Sequence, residues 1–290
     1  MRPAHGILSA NNQSITPQIV LDRSNVPMVN YGDNIGLQRN PLTVAKFALT
    51  YYDDYLKSGN DTFKKAFLNS TNWLLNDSVS HGNRTILEYR LTYPPYSLVN
   101  KTVYQGNYSI LEYKFPYPLY GLAAPWISAM AQGETLPVLT RAYEITGNGK
   151  YLELAKQVLN SFFVEVEDGG VSYKTPHDGW WYEEYAGNRI TGTGILSGMM
   201  YTVLRIHDYY NLTKDSTAKY LFEQGVLSLT KNLSRYDYKN GTSSYDDLLG
   251  HVSFPTRLKT NVSYLDQLYH LTKQPVFKLY HDKWGISLKQ

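Results

Sequence analysis

After Pro41, apolar side chains recur at three- and four-residue spacing along most of the chain, which is the spacing of one face of an α-helix. The first such segment begins at Pro41, a residue suited to the first helical turn, and ends at Ser58-Gly59. A second segment follows at once, from about Asp61 to Leu75. Because so short a connection makes two helices neighbours, the pattern predicts a helical hairpin.

The same pattern of helix, turn and helix occurs three more times. The turns are predicted at Thr146-Gly147, at 211–213 and at Leu271-Thr272, each between an amphipathic helix and a second helix with an early aromatic residue. A hairpin with one apolar face cannot bury that face by itself, so successive hairpins must stack on one another. We therefore predict a mainly α protein, an α/α barrel (toroid) of about four helical hairpins.

Three stretches interrupt the helical repeat. Residues 84–118 alternate apolar and polar positions and are rich in β-branched and aromatic residues, which predicts a β-hairpin insert. Gly170–Glu183 predicts a further short strand, and Ser234–Leu258 is the third break. We expect residues 1–40 to form an irregular segment with short strands and residues 41–290 to form the barrel domain. Since connections vary while a scaffold stays constant, the three interruptions are expected to gather at one rim and to build one cleft.

The composition narrows the function classes. Of 290 residues, 42% are hydrophobic and 18% are charged, and no apolar run approaches the roughly 18 residues of a membrane-spanning helix, so no span is predicted. A net charge of +3 is too weak to predict nucleic-acid binding. The 27 tyrosines, each an apolar ring with a polar tip, suit a carbohydrate surface. The chain has no cysteine and no cluster with metal-ligand spacing, so we predict no metal and no cofactor; the oligomeric state, a homodimer included, stays open.

Asn-x-Ser/Thr sequons, the acceptor pattern for N-glycosylation, are dense along the chain. They occur at Asn12, Asn60, Asn69, Asn76, Asn83, Asn100, Asn107, Asn211, Asn232, Asn240 and Asn261. This density predicts an extracytoplasmic protein, secreted or held at the cell surface. The opening MRPAHGILSA lacks the apolar core of a signal peptide, so we expect that any targeting segment is absent from this sequence.

The segment HDGWWYEEY, from His177 to Tyr185, concentrates acid/base groups and aromatic rings. Glu183 and Glu184 are adjacent, so in a helix or a strand they point in different directions and at most one of them faces a given pocket. The neighbouring tryptophans and tyrosines offer flat surfaces of the kind on which sugar rings stack. The segment is therefore a candidate site, with a packed aromatic turn as the alternative.

Two segments resemble the signature sequences of one family. APWISAMAQGETLPVLTRAYEITGNGKYL (Ala124–Leu152) resembles the signature of the D-glucuronyl C5-epimerase family, and HDGWWYEEY resembles that family's HDWYEEYP. The likeness extends back to about Val26, where VPMVNYGDNIGLQRNPLTVAKFALTYY is similar to an earlier family segment. The resemblance implies an α/α-barrel isomerase that inverts C5 of uronic acid residues, between D-glucuronate and L-iduronate, within an acidic polysaccharide.

Carried over by position, the Glu-Tyr step of the family segment falls on Glu184 and Tyr185. Both residue types are present. Gly179 is an extra residue and Ala186 replaces the family's proline, so we expect the loop to be reshaped and the substrate specificity to differ accordingly.

Two further family tyrosines match less well. The tyrosine of a YDLRH segment falls on Tyr245, but Leu248 replaces the arginine of that segment. The other tyrosine follows an Arg-Trp-Asp step, and here Arg257 matches the arginine while Thr260 occupies the tyrosine position. Tyr264, one helical turn later, is the candidate to take its place.

The implied reaction needs a base, an acid on the opposite face of the sugar and a positive clamp for the substrate carboxylate, which Arg257 or Arg39 would supply. The resemblance and the residue types assign acid/base roles to Glu184, Tyr185, Tyr245 and Tyr264. We expect substrate contacts from Trp126, Gln132, Trp181, Tyr182, Glu183, Arg39, Arg189 and Arg257.

Structural roles stay open for several of these residues. Arg189 and Arg257 also fit ordinary surface or helix-end positions, Trp126 and Gln132 also fit the core, and Asp246-Asp247 fits a solvated turn better than a metal site. Two other functions stay open as well. One is a uronate polysaccharide lyase, which passes through the same carbanion and then eliminates, and the other is a non-enzymatic glycan-binding protein of the cell surface.

Overall fold

Eight α-helices dominate the part of the chain that the structure, a computed structural model, describes: residues 7–8, 14–15, 18–32, 34–92, 97–187 and 192–288. The helices are α1 (Pro41–Ser58), α2 (Asp61–Asp77), α3 (Ala129–Thr146), α4 (Gly149–Asn160), α5 (Leu196–Thr213), α6 (Ser216–Asn232), α7 (Pro255–Thr272) and α8 (Pro275–Ser287). Each odd-numbered helix packs against the even-numbered helix that follows it. These pairs are the four predicted hairpins.

The odd-numbered helices form the inner wall of the fold. α1 packs against α3, α3 against α5 and α5 against α7, whereas α4, α6 and α8 pack behind their own partners. Every residue of α3 from Ala129 to Thr140 is buried, and a helix that is buried all round lies in the interior. The chain therefore folds as the predicted α/α toroid.

Tight turns join the two helices of each hairpin at one end of the toroid. Gly59 and Gly147 end α1 and α3 with φ of 66° and 68°, a left-handed conformation that glycine adopts without strain. The side chain of Asn60 then caps α2. The third turn lies at Lys214 and not at 211–213, because the helix continues to Thr213 and Lys214 itself takes φ of 56°.

Strands occupy the N-terminal segment and the connections between hairpins. They are β1 (Ile7–Leu8), β2 (Ser14–Ile15), β3 (Gln18–Leu21), β4 (Pro27–Asn30), β5 (Leu37–Gln38), β6 (Val79–Thr92), β7 (Ser97–Ile110), β8 (Glu112–Tyr113), β9 (Trp126–Ile127), β10 (Ser172–Thr175), β11 (Gly179–Tyr182), β12 (Asp237–Tyr238) and β13 (Ser243–Ser244). β3, β4 and β5 form a three-stranded antiparallel sheet, and the other strands pair two by two in chain order.

The strands agree with the predicted segments in part. The β10/β11 hairpin confirms the prediction for Gly170–Glu183. The β6/β7 hairpin starts at Val79, ahead of the insert predicted near 84–118, because its first residues carry no apolar alternation and the register shifts between His81 and Arg84. β9, β12 and β13 were not predicted, since two residues are too short to show a period of two.

The three long connections all leave the toroid at the end opposite the tight turns. They run over residues 78–128, 161–195 and 233–254, and each joins the outer helix of one hairpin to the inner helix of the next. The N-termini of the inner helices therefore lie beside these connections. Within the described ranges, no helix has the length and apolar character needed to cross a membrane.

Candidate active site

The HDGWWYEEY segment forms a turn, a strand and a bend in that order. His177 and Asp178 lie in the turn after β10, and the strand β11 follows directly. Gly179 has φ of 77°, and a Cβ at this position would lie 2.3 Å from the carbonyl oxygen of Gln224 in α6. The extra glycine therefore lets the strand lie close against α6, and the two glutamates follow where the strand ends.

Glu183 is buried and its carboxylate is hydrogen-bonded on both oxygens. It accepts hydrogen bonds from the Thr193 hydroxyl and, at 3.1 Å, from the backbone N–H of Gly194. Its backbone carbonyl accepts the N–H of Ala129 at 3.0 Å. Burial raises the pKa of Glu183, and the Thr193 and Gly194 hydrogen bonds oppose that shift. Glu183 thus fastens the end of β11 to the start of α3 and to the segment before α5.

Glu184 is buried too, yet its Oε2 has no hydrogen-bond partner in the described part of the chain. The carboxylate packs against Gly198 in the first turn of α5, where a Cβ would lie 2.2 Å from Oε2. Burial raises the pKa of Glu184 to about 7, and the positive charge of Arg257 only partly offsets this effect. A carboxyl group with a pKa near neutrality and a free oxygen can both take up and return a proton.

Arg257, in the first turn of α7, supplies positive charge beside Glu184. Its Nε lies 3.3 Å from Oδ1 of Asp246, and its Nη1 donates a hydrogen bond to Oγ of Ser197 at 3.1 Å. These two contacts hold the guanidinium at the mouth of the toroid, where the inner helices begin. Because a guanidinium has five N–H donors, Arg257 keeps further donors for an anionic ligand.

Aromatic rings border the same mouth. The Tyr185 ring stacks on Tyr117 with centroids 5.0 Å apart, and it lies 4.8 Å from Tyr120 and 5.7 Å from Trp126. Burial and the negative charge of Glu184 raise the pKa of Tyr185 well above its usual range. The tyrosine is therefore in its neutral form, with a hydroxyl that can donate.

Further charged groups line the interior of the toroid below the mouth. Glu134 of α3 accepts a 2.5 Å hydrogen bond from the Tyr201 hydroxyl of α5, and Nε of Arg205 lies 3.6 Å from the same carboxylate oxygen. Lys46 of α1 holds its Nζ 4.9 Å from the centre of the Tyr201 ring. Lys46, Glu134 and Tyr201 each lie five residues after the start of their helix, a common depth of about 7.5 Å.

Two residues of the family signature have packing positions. Trp126 is 5% exposed, donates its indole N–H to the carbonyl of Phe115 at 2.8 Å and stacks on Tyr113 at 3.8 Å. Gln132 is fully buried, and its amide bonds the backbone of Ser109 and Leu111 at the end of β7. Trp126 borders the site through the Tyr185 ring, whereas Gln132 anchors the long β-hairpin.

Three other predicted contact residues have partners other than Glu184. The Tyr182 hydroxyl donates to the carbonyl of Leu221 in α6 at 2.6 Å, and the Trp181 ring stacks on Tyr236 at 5.8 Å. Arg39 bonds the backbone of the β3/β4 turn and pairs with Asp22. Arg189 lies outside the described residues.

The two later tyrosine candidates differ in position. The Tyr245 ring packs against Tyr238 at 5.3 Å, while the neighbouring Asp246 points to Arg257. Tyr264 faces the interior, with its ring 5.9 Å from that of Tyr201, and burial raises its pKa to about 12. Tyr264 therefore faces the charged interior, and Tyr245 packs against Tyr238 next to the Asp246–Arg257 pair.

Asp247 does not lie in a solvated turn, which corrects that expectation. It is 1% exposed, and its carboxylate accepts hydrogen bonds from the backbone N–H of Leu249 and His251. Oδ2 also lies 2.6 Å from Nδ1 of His251 and accepts the Tyr120 hydroxyl at 3.3 Å. A turn that is closed around its own aspartate keeps the carboxylate from water, and local sequence does not show this.

Sequence analysis missed the interior charges. Lys46 and Glu134 were not singled out, although each interrupts an apolar stretch, VAKFAL and AQGETLPVL, on a helix that proves to be an inner one. Asp246 was likewise assigned to solvent. A charged residue within an apolar helical face was the available signal, because burying a charge is costly and such a position needs a reason.

The structure thus brings Glu184, Arg257 and a group of tyrosines together at the mouth of an α/α toroid. The family model for the D-glucuronyl C5-epimerase C-terminus matches residues 105–285, which is more than half of the chain. The chain belongs to this family.

Two relatives and one solved structure are similar to this chain. The D-glucuronyl C5-epimerase of Caenorhabditis elegans is 27% identical over 271 residues, which cover 87% of this chain and 36% of that protein. An uncharacterized protein of Methanocaldococcus jannaschii is 33% identical over 172 residues, which cover 56% of this chain and 53% of that protein. The chain thus spans about half or less of the length of each relative. A crystal structure of a D-mannose isomerase, 9% identical, superposes with a TM-score of 0.51 over 87% of this chain and 59% of that chain, and it supports the fold alone.

Proposed function

We propose that this protein is an isomerase that inverts C5 of uronic acid residues within an acidic polysaccharide, between D-glucuronate and L-iduronate. The observation that carries the proposal is Glu184, whose buried Oε2 lacks a partner in the described ranges and whose pKa burial raises to about 7. Membership of the epimerase family supports the choice of reaction.

The residues around Glu184 suit the first half of such a reaction. The C5 hydrogen lies α to the uronate carboxylate, so its removal by ionised Glu184 sends the C5–H electron pair into the carboxyl group, which gains a second negative charge. Arg257 is held beside Glu184 and stabilises that charge through its remaining N–H donors. The carboxyl proton that Glu184 gains returns to solvent or to the substrate.

Inversion requires a second acid/base group that delivers a proton to the opposite face of C5. Tyr185 borders Glu184, and Tyr264 faces the interior. Either could donate from its neutral form, but burial raises the pKa of both, which makes the deprotonated form harder to reach in the reverse direction. Neither tyrosine is therefore well suited to act as the second acid/base group in both directions.

We further propose that the protein works outside the cytoplasm on a polysaccharide held by the long connections. Several sequon asparagines, among them Asn60, Asn76 and Asn211, are exposed, as a glycan requires. Asn261 is fully buried and donates to Oγ of Ser244 at 3.0 Å, so this sequon cannot carry a glycan in the folded protein. Peptide mapping of the secreted protein by mass spectrometry tests both statements.

The direct test is to incubate the protein with a glucuronate-containing polymer in heavy water. The proposal predicts deuterium at C5 and the appearance of iduronate, both measured by NMR. Unsaturated sugar that absorbs in the ultraviolet would instead show the β-elimination of a lyase. Binding of the polymer without any C5 exchange would show a glycan-binding protein, and either result overturns the isomerase.

A further inference from the structure

We propose that Lys46 is the second acid/base group and acts on the face of C5 opposite Glu184; this assignment rests on the proposed isomerase function. Lys46 lies in α1, and Glu184 packs on the first turn of α5. The Lys46 side chain reaches from α1 to α5, where its Nζ lies over the Tyr201 ring, about one helical turn further along α5 than Gly198. A sugar ring between them would present one face to each.

The ammonium group of Lys46 is uncommitted. Nζ makes a cation–π contact over the Tyr201 ring at 4.9 Å, and within the described ranges it has no hydrogen-bond or ion-pair partner. By contrast, Arg257 is held by Asp246 and Ser197, and Arg205 pairs with Asp208 at 2.9 Å. Lys46 thus differs from both arginines in that no carboxylate or hydroxyl of the described residues holds its charged group.

The groups that face Lys46 shift the pKa of its ammonium in both directions. Burial lowers the pKa of the Lys46 ammonium, as do the positive charges of Arg205 and Arg257, whereas Glu134 and Glu184 work in the opposite direction. A lysine can donate as an ammonium and accept as an amine, and desolvation is the usual way to bring these states together near neutral pH. Burial raises the pKa of Tyr185 and Tyr264, which disfavours the phenolate that each would need in order to act as a base.

The proton balance closes with these two residues. In one direction the Glu184 carboxylate takes the C5 proton and the Lys46 ammonium gives a proton to the opposite face, which leaves a carboxylic acid, an amine and the inverted sugar. In the other direction the amine is the base and the carboxylic acid is the donor. Exchange with solvent resets both groups between turnovers.

The experiment compares Lys46→Met, Lys46→Arg and Glu184→Gln in heavy water, with D-glucuronate and L-iduronate polymers as separate substrates. Each lysine variant should lower net inversion at least about 100-fold in both directions. One epimer should keep C5 exchange, because Glu184 still removes and returns a proton on its own face, and the other epimer should lose it. Glu184→Gln should show the opposite pattern. Lys57→Met, on the exposed last turn of the same helix, is the matched control and should behave as the parent.

Three results would overturn the assignment. If Lys46→Arg keeps inversion and both exchanges while Lys46→Met raises KM, the lysine only binds the substrate carboxylate. If Tyr185→Phe or Tyr264→Phe shows the mirror image of Glu184→Gln, that tyrosine is the second group. If the parent protein exchanges neither epimer, the isomerase function itself is wrong and the role of Lys46 is rejected with it. Thermal melts of each variant separate loss of the fold from loss of chemistry.

Discussion

The two ends of the toroid are built on different principles. At the end with tight turns, Gly59 and Asn60 satisfy the free backbone groups of α1 and α2 within a few residues, and the surrounding surface is exposed. At the end with long connections, Glu184 and Arg257 meet from positions 73 residues apart (257 − 184), and both are buried in part or in full. One end is stabilised by local capping, and the other brings distant charges together.

The comparison indicates that the end with tight turns contributes stability and that the end with long connections carries the reactive groups. Caps lower the free energy of the helices by about 1 kcal/mol each and place no demand on distant residues. A buried, poorly paired carboxylate costs free energy, so it persists where the surrounding scaffold is stable without it. We therefore expect substitutions at the connection end to change activity first, and substitutions at the turn end to change stability alone.

Glu184→Gln should have the largest effect on activity. Losing a positioned acid/base group costs about 10² to 10⁴ in rate, measured as C5 inversion of a glucuronate polymer.

Glu184→Gln should also remove a pH dependence of the free energy of unfolding. Because the pKa of Glu184 is raised from 4.5 to about 7 in the folded state, the parent loses stability as pH rises between these values, by about 3 kcal/mol in total. The glutamine variant should lack this decline, so chemical denaturation at pH 5 and pH 8 checks it; an equal decline in both proteins contradicts the prediction.

Glu183→Ala should lower activity because Glu183 fastens the end of β11, which carries Glu184, to the segment before α5. The substitution leaves the Thr193 hydroxyl and the Gly194 N–H without their buried acceptor, at a cost of about 2–4 kcal/mol. The loss should be seen in denaturant unfolding and in faster proteolysis near 183–194. Glu183→Gln is the control, because its amide oxygen still accepts a hydrogen bond and should restore part of both properties. Unchanged stability in the alanine variant would show that the hydrogen bonds from Thr193 and Gly194 to Glu183 do not stabilise the fold.

Gly198→Ala should displace the Glu184 carboxylate. A Cβ would lie 2.2 Å from Oε2 and 2.7 Å from Cβ of Glu184, so the glutamate must move, and a shift of this kind costs about tenfold to 100-fold in rate. Stability should fall by about 1–3 kcal/mol from overpacking, less the gain of alanine over glycine in a helix. Gly149→Ala at the turn end is the matched control, because nothing lies within 4 Å of its Cβ position. Equal kcat/KM in the two variants would contradict the prediction.

Asp215→Ala should have the smallest effect and should act on stability alone. Its Oδ1 accepts the N–H of Thr217 at 2.7 Å and of Ala218 at 3.4 Å at the start of α6. Loss of this cap should cost about 1 kcal/mol in urea unfolding and leave C5 inversion at the parent rate. Asp215→Asn, which keeps the accepting oxygen, should recover most of the loss. A changed inversion rate would mean that the two ends are coupled.

Much of the fold could be predicted because its signals are local. Pro41 and Gly59 mark the bounds of α1, and the four hairpins follow from helical periodicity and turn residues alone. Glu184 and Tyr185 were singled out from one short segment, and the structure places both at the mouth. The roles of Glu183 and Asp247 could not be predicted, because the partners that bury them, such as Thr193 and Tyr120, come from other connections.

The sequence by itself determined the helices, their pairing and the segment that carries the acid/base glutamate, since each depends on residues within one or two turns of one another. Only the tertiary structure decided that Glu184 keeps a free oxygen while Glu183 does not, and that Lys46 of α1 reaches the Tyr201 ring of α5. The physical reason is that desolvation raises the pKa of a carboxyl group only when many distant groups exclude water together. Helical periodicity is a property of a segment, whereas the burial of a charge is a property of the whole fold.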